Sequence, residues 1–141
     1  MITITRRLEF DAGHRVMNHE SKCATLHGHR YVIEIAATAP SLDGIGRVID
    51  FSILKEKIGS WLDEHWDHTT LVHIDDTITL AALKQMPRFK EPYVCEFNPT
   101  AENMASFLLH KICPMLLNGT SVTVTKVTVY ETPNCRAEAK L

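Results

Sequence analysis

Cys23-Ala24-Thr25-Leu26-His27-Gly28-His29, running on into Arg30-Tyr31-Val32-Ile33-Glu34-Ile35-Ala36-Ala37, is the stretch from which the rest of the chain is read. Successive side chains of a strand point to opposite faces, so His27 and His29 share a face with Tyr31, Ile33, Ile35 and Ala37. That face is the apolar one, which aims both imidazoles toward the core side of the strand. Two imidazoles on one point make half of a metal site, and Cys23 adds a thiol just before them.

Working back to the N-terminus, the segment Ile2 to Asp11 alternates apolar and polar residues, the pattern of a strand with one buried face. Its even phase, Ile2, Ile4, Leu8, Phe10 and Ala12, leads to His14, a third inward histidine at a strand end. Between them, Asn18-His19-Glu20-Ser21-Lys22 is a hairpin loop or crossover. Zinc held by three histidines keeps a coordination position open for water or substrate, whereas a fourth protein ligand closes the site. His14, His27 and His29 are therefore the expected metal ligands, and Cys23 is either a free thiol or the ligand that closes the site.

Composition narrows the classes. The chain has 141 residues and a net charge of −2, which suits one domain over 1–141. Lys and Arg are scattered without a basic stripe, so nucleic acid is not an expected partner. No apolar run approaches the roughly 18 residues of a membrane span. Arg6 and Arg7 interrupt the first apolar alternation, which is unlike a signal segment, and a cytoplasmic protein is expected. Cys23, Cys95, Cys113 and Cys135 form no CxxC pair, and a reducing compartment leaves them as thiols.

Further along, Pro40 to Gly46 is a turn, and from Asp50 the period becomes helical, with Phe51, Leu54, Ile58, Trp61, Leu62 and His65 on one stripe and Asp50 or Ser52 as cap. The adjacent Asp67-His68 opens a loop, either as a local cap with a solvated imidazole or as a carboxylate that orients the ring. In the segment 75–97 a short helix is expected from Thr79 to Met86, with Pro87 and Pro92 breaking regular structure beyond it. Asn98-Pro99-Thr100-Ala101-Glu102 starts a second main helix, whose stripe Ala101, Met104, Ala105, Leu108, Leu109 and Ile112 is expected to end at Pro114. Thr100 and Glu102 are capping residues or additional site contacts. After the Asn118-Gly119 turn, Val122 to Thr132 forms a strand whose phase slips near Thr125-Lys126, as at a bulge. Beyond the slip Glu131 shares the apolar face of Val127 and Val129. A carboxylate there is either paired or at an exposed strand end, because burying it alone is costly.

Phe10-Asp11-Ala12-Gly13-His14, Cys23-x3-His27-Gly28-His29, Trp66-Asp67-His68, Asn98-Pro99-Thr100-Ala101-Glu102-Asn103 and Tyr130-Glu131-Thr132 resemble, in order and spacing, the motifs of the 6-pyruvoyltetrahydropterin synthase superfamily. The three-residue gap between Cys23 and His27 is similar to that of its bacterial 6-carboxy-5,6,7,8-tetrahydropterin synthase branch, from the queuosine and 7-deazaguanine pathway. The resemblance implies an α+β tunnelling fold (T-fold), a four-stranded antiparallel sheet with two main helices on one face. It also implies assembly into an oligomeric barrel, commonly a hexamer, with active sites at subunit interfaces. The fourth strand is expected around Tyr93 to Phe97 or from a split of the last strand near Lys126.

The same resemblance implies one zinc ion per subunit on His14, His27 and His29, and a lyase converting 7,8-dihydroneopterin triphosphate to 6-carboxytetrahydropterin, acetaldehyde and triphosphate. Cys23 becomes the base, Asp67 and His68 a proton-relay pair, and Glu131 the anchor of the pterin ring, with Glu102 or Thr100 adding contacts. A pyruvoyl-forming lyase and a non-catalytic module with a closed His3Cys zinc site are the alternatives. Two departures stand out: Trp66 replaces the usual Leu before Asp-His, and 75–97 resembles an insertion relative to short bacterial enzymes.

Overall fold

A computed structural model describes residues 1–141. Strand β1 (Ile4–His14) pairs antiparallel with β2 (His27–Thr38), in a register that sets Phe10 opposite Tyr31, Ala12 opposite His29 and His14 opposite His27. Then come helix α1 (residues 51–65), β3 (Thr69–His73), α2 (Thr77–Gln85), β4 (Tyr93–Cys95), α3 (residues 101–116), β5 (Thr123–Thr132) and β6 (Cys135–Lys140). The sheet order is β4-β3-β1-β2-β5-β6.

The strands β1, β2, β5 and β6 form the expected four-stranded antiparallel sheet. Two short parallel strands, β3 and β4, extend it beyond β1. The fourth antiparallel strand is neither a split of β5 nor the segment near Tyr93. It is Cys135–Lys140, turned back on β5 by a hairpin in which the Thr132 hydroxyl accepts from the Asn134 amide at 3.2 Å. The slip in β5 lies where expected: Ala36 faces Lys126 and Ala37 faces Val124, so Thr125 is the surplus residue. It returns Val127 and Val129, both fully buried, to the core face.

On that face Phe10, Tyr31, Ile33, Ile35, Val127 and Val129 meet Leu54, Ile58, Trp61 and Leu62 of α1 and Met104, Leu108, Leu109 and Ile112 of α3 in one apolar cluster. Each such side chain contributes about 1.5–3 kcal/mol when taken out of water, so the two amphipathic helices are held by burial rather than by helix propensity. Their starts are capped as the sequence suggests: the Asp50 carboxylate accepts from the Ser52 amide at 2.8 Å, and the Thr100 hydroxyl accepts from the Asn103 amide at 3.2 Å.

Pro114 does not end α3, which runs to Leu116. A π-helical turn at Leu108–Ile112 precedes it and changes the hydrogen-bonding pattern, which accommodates a residue with no N–H to give. Trp66 is fully buried, with ring centroids 5.3 to 6.2 Å from those of Trp61, Phe10, Tyr93 and Phe107. The larger ring in place of Leu thus fills the space between α1, β4 and α3. The opposite face of the sheet is charged, with Arg30 paired to Asp11 at 3.1 Å and to Glu9 at 3.3 Å.

Candidate active site

The ligand nitrogens of His14, His27 and His29 lie within 4.8 Å of one another. Strand register brings them together: His14 and His27 face each other across β1 and β2, and His29 stands two residues further on the same face. Gly28, between the two histidines, permits the close approach of the strands, since a Cβ there would sit 3.0 Å from the Ala12 carbonyl oxygen.

Second contacts fix the rings. The Nδ1 atoms of His14 and His27 stand 2.7 Å from the Pro99 carbonyl oxygen and 2.6 Å from the Thr25 carbonyl oxygen. A carbonyl only accepts, so in each neutral ring Nδ1 carries the proton and Nε2 presents a lone pair. These two Nε2 atoms are 3.1 Å apart, and lone pairs facing at that distance repel unless a cation lies between them. Nε2 of His29 is buried without a hydrogen-bond partner and stands 4.0 Å from the Glu131 carboxylate. Burial, aided by the neighbouring rings, lowers the His14 pKa to about 4, and burial also lowers that of His29 against the pull of Glu131. Converging imidazoles, two of them with Nδ1 held by a carbonyl, are the donor set of a divalent metal, and the three residues fit one.

Cys23 is not in that group. It lies half-buried in a short 3-10 turn, Lys22–Ala24, beside the strands. Its carbonyl accepts from the Val16 amide at 3.1 Å. Arg15 grips the next residue, donating from Nε to the Ala24 carbonyl at 2.8 Å and from its terminal nitrogen to the buried Asp76 carboxylate at 2.7 Å. Burial pushes the thiols of Cys95 and Cys113 up to about 12, which leaves them inert at neutral pH.

The Asp67-His68 pair is not part of the same cluster. Asp67 accepts from the ring Nδ1 of His68 at 2.7 Å and from the Asp11 amide at 3.0 Å. Burial opposes its charge, but His68, the Asp11 amide and Lys90 outweigh that and hold the carboxyl below its usual range. Asp11 and His14 are three apart on β1, so their side chains take opposite faces of the sheet. A cavity of about 980 Å³ opens beside the pair, lined in part by Gly13, Gly28, Met86 and Phe89, with His29 the only one of the three histidines at its border. One chain therefore presents the imidazole cluster on the helix-covered side and the relay pair on the other.

Of the other expected residues, Glu131 reaches the cluster, half-buried beside His29. Thr100 is used as a helix cap and Glu102 is exposed in the first turn of α3. Missed from the sequence was the Asn98-Pro99 clasp. Asn98 exchanges two hydrogen bonds of 2.9 Å with the backbone of Met17, which sets the Pro99 carbonyl on His14. The dipeptide stands in a helix-start pattern and in one of the family motifs, but a backbone acceptor leaves no trace in side-chain patterning.

The model of the 6-pyruvoyl tetrahydropterin synthase family matches residues 3–140. The chain belongs to that family. Within the 6-pyruvoyl tetrahydropterin synthase family it is similar to the Rickettsia felis 6-carboxy-5,6,7,8-tetrahydropterin synthase, 46% identical over 138 residues covering 98% of this chain and 99% of that protein. The Aquifex aeolicus protein of the same name is 29% identical, over 97% and 96% of the two chains. An uncharacterized protein from Wolinella succinogenes has a solved structure with a TM-score of 0.84, 25% identity and coverage of 99% and 97%. The Caenorhabditis elegans 6-pyruvoyl tetrahydropterin synthase shares the fold at a TM-score of 0.70 and 24% identity, over 99% and 95%.

Proposed function

We propose that this protein is a zinc-dependent lyase that converts 7,8-dihydroneopterin triphosphate to 6-carboxy-5,6,7,8-tetrahydropterin, acetaldehyde and triphosphate, in queuosine and 7-deazaguanine biosynthesis. The observation that carries the reading is the trio of converging imidazoles, two backed by carbonyls and the third bare, joined to relatives named for this synthase. Zinc on His14, His27 and His29 would supply Lewis acidity at the side-chain oxygens of the substrate. Cys23 as thiolate takes the proton from the adjacent carbon, and its turn is steadied for that by Val16 and Arg15.

His68, oriented by Asp67, exchanges protons with the reacting carbons or with Cys23. Because one chain sets this pair and the imidazole cluster on opposite faces of β1, the active site takes the pair from a second subunit. A homo-oligomer, a hexamer in this reading, is then the active form. Glu131 receives the amino group and ring N–H of the pterin, two parallel bonds to one carboxylate beside the metal site. Glu102 and Thr100 stand at the start of α3, where the exposed Glu102 side chain adds a contact to the same ring. No helix is long and apolar enough to cross a membrane, and with four free cysteines the cytoplasm is the proposed compartment. The segment 75–97 is carried as part of the single domain 1–141.

A closed His3Cys module is disfavoured by the place of Cys23 outside the ligand group. The test is mass spectrometry of the reaction with zinc-loaded protein and its Cys23→Ala variant. 6-Carboxytetrahydropterin and acetaldehyde, lost in the variant while zinc stays bound, are expected. A pyruvoyl product moves the protein to the sister activity, and loss of zinc with the thiol returns the closed site.

A further inference from the structure

Lys90 comes from the segment 75–97, whose cations look at first like ordinary surface charge or a triphosphate entrance. Arg88 is committed within the segment, to Glu91 at 3.0 Å and to the carbonyls at the end of α2. Lys90 reaches out instead. Its ammonium donates to the Asp67 carbonyl at 2.6 Å and also to the Asp63 carbonyl, in the last turn of α1. A cation at a helix C-terminus satisfies carbonyls that have no partner in the helix.

The peptide it holds is an unusual one. His68 has φ of +56°, the left-handed region that a residue with a Cβ rarely adopts and that persists only when surroundings over-determine it. Here the His68 amide donates to the Asp11 carbonyl at 2.7 Å and the Asp67 amide to Leu62 at 2.8 Å. From 75–97 come Lys90 on the Asp67 carbonyl and the Glu91 carbonyl, which accepts from the Thr69 hydroxyl at 2.7 Å. The His68 side chain is 73% exposed, so packing cannot orient it. Backbone geometry and the Asp67 carboxylate do so alone.

We propose that Lys90 is a positioning residue for the proton-relay pair. By locking the Asp67 carbonyl it keeps the Asp67-His68 peptide in its left-handed turn, and so keeps the imidazole on its carboxylate. This role rests on reading His68 as the proton carrier, and it gives the segment 75–97 a part in the chemistry without contact to substrate.

The experiment tracks the His68 ring tautomer by nitrogen NMR at fixed pH in the full zinc-loaded protein, for Lys90→Met, Lys90→Arg and the parent, each with and without Asp67→Asn. The charged groups around the ring are Asp67, Asp11 and, beyond Asp11, Arg30, with the Lys90 ammonium acting on Asp67 and Arg88 lining the same cavity. In the parent, Asp67→Asn shifts the ring away from the Nδ1–H tautomer, because it replaces the carboxylate that accepts that proton by a weaker acceptor. In Lys90→Met that change shrinks, since the pair is already parted, and Lys90→Arg restores it. Turnover changes in step, with kcat down by about tenfold or more in Lys90→Met and KM within about twofold. If Lys90→Met fails to fold, Lys90→Gln, whose amide still donates one bond, replaces it. An undiminished change of tautomer with parental kcat overturns the proposal. Full turnover in Asp67→Asn removes the relay reading instead, and leaves the backbone result standing.

Discussion

His14, His27 and His29 stand on two long strands whose register runs unbroken from Ile4↔Ala37 to His14↔His27, whereas Asp67 and His68 stand on a turn between a helix end and a five-residue strand. The first group is half or wholly buried, and two of its rings are backed by main-chain carbonyls. The second is solvated at the ring and depends on a residue more than twenty positions away. A site that must hold three lone pairs on one point is built into the sheet, where register leaves no freedom. A pair that must move protons sits on a turn outside the regular elements, where ties to Asp11, Leu62, Lys90 and Glu91 together set its geometry.

The sharpest way to break the rigid half is His14→Ala. It removes one of three ligands and orphans the Pro99 carbonyl. Zinc affinity is expected to fall by more than about a hundredfold, beyond the 10–100-fold typical of losing a second-contact partner alone. Competition with a chromogenic chelator measures it, and a variant that binds zinc as tightly as the parent would remove His14 from the ligand set.

Acid probes the same half without mutation. In the metal-free protein the unfolded chain takes a proton on this imidazole near pH 6.5, but the folded chain refuses it until about pH 4. The stability linked to His14 is therefore complete above pH 6.5 and lost as pH falls through that window, by about 3 kcal/mol in all. Urea unfolding at a series of pH values should show the decline, and His14→Gln should flatten it.

A smaller effect sharpens the contrast at the thiol. Asp76→Asn weakens the bond to Arg15 that steadies the Cys23 turn, at a cost of about 1–3 kcal/mol. With Cys135→Ser as background, iodoacetamide should alkylate Cys23 several-fold faster while Cys95 and Cys113 stay protected. Faster labelling of all three thiols would mean general loosening instead.

The same difference explains how far each half could be read from the sequence. The histidine cluster was legible because alternation is local: Phe10, Ala12 and His14 share a phase, as do His27, His29 and Tyr31. The bulge at Thr125 and the caps at Asp50 and Thr100 were legible for the same reason. Strand β6 was not, since Cys135-Arg-Ala-Glu-Ala-Lys140 offers only two alanines to the core, with none of the branched or aromatic residues that mark a strand. The parallel pairing of β3 with β1 and the reach of Lys90 to Asp67 are long-range contacts, which no local pattern encodes.

Both main helices carry a π-helical turn at mid-length, Lys55–Gly59 in α1 and Leu108–Ile112 in α3. Such a turn holds one residue more than a regular helix needs to span the same rise. Each helix thus contains a spare position, and loss of a single residue there would let the turn close into ordinary α-helix with both ends still in phase with the sheet. The chain thus has two places where a one-residue deletion would be absorbed without moving the metal ligands or the relay pair.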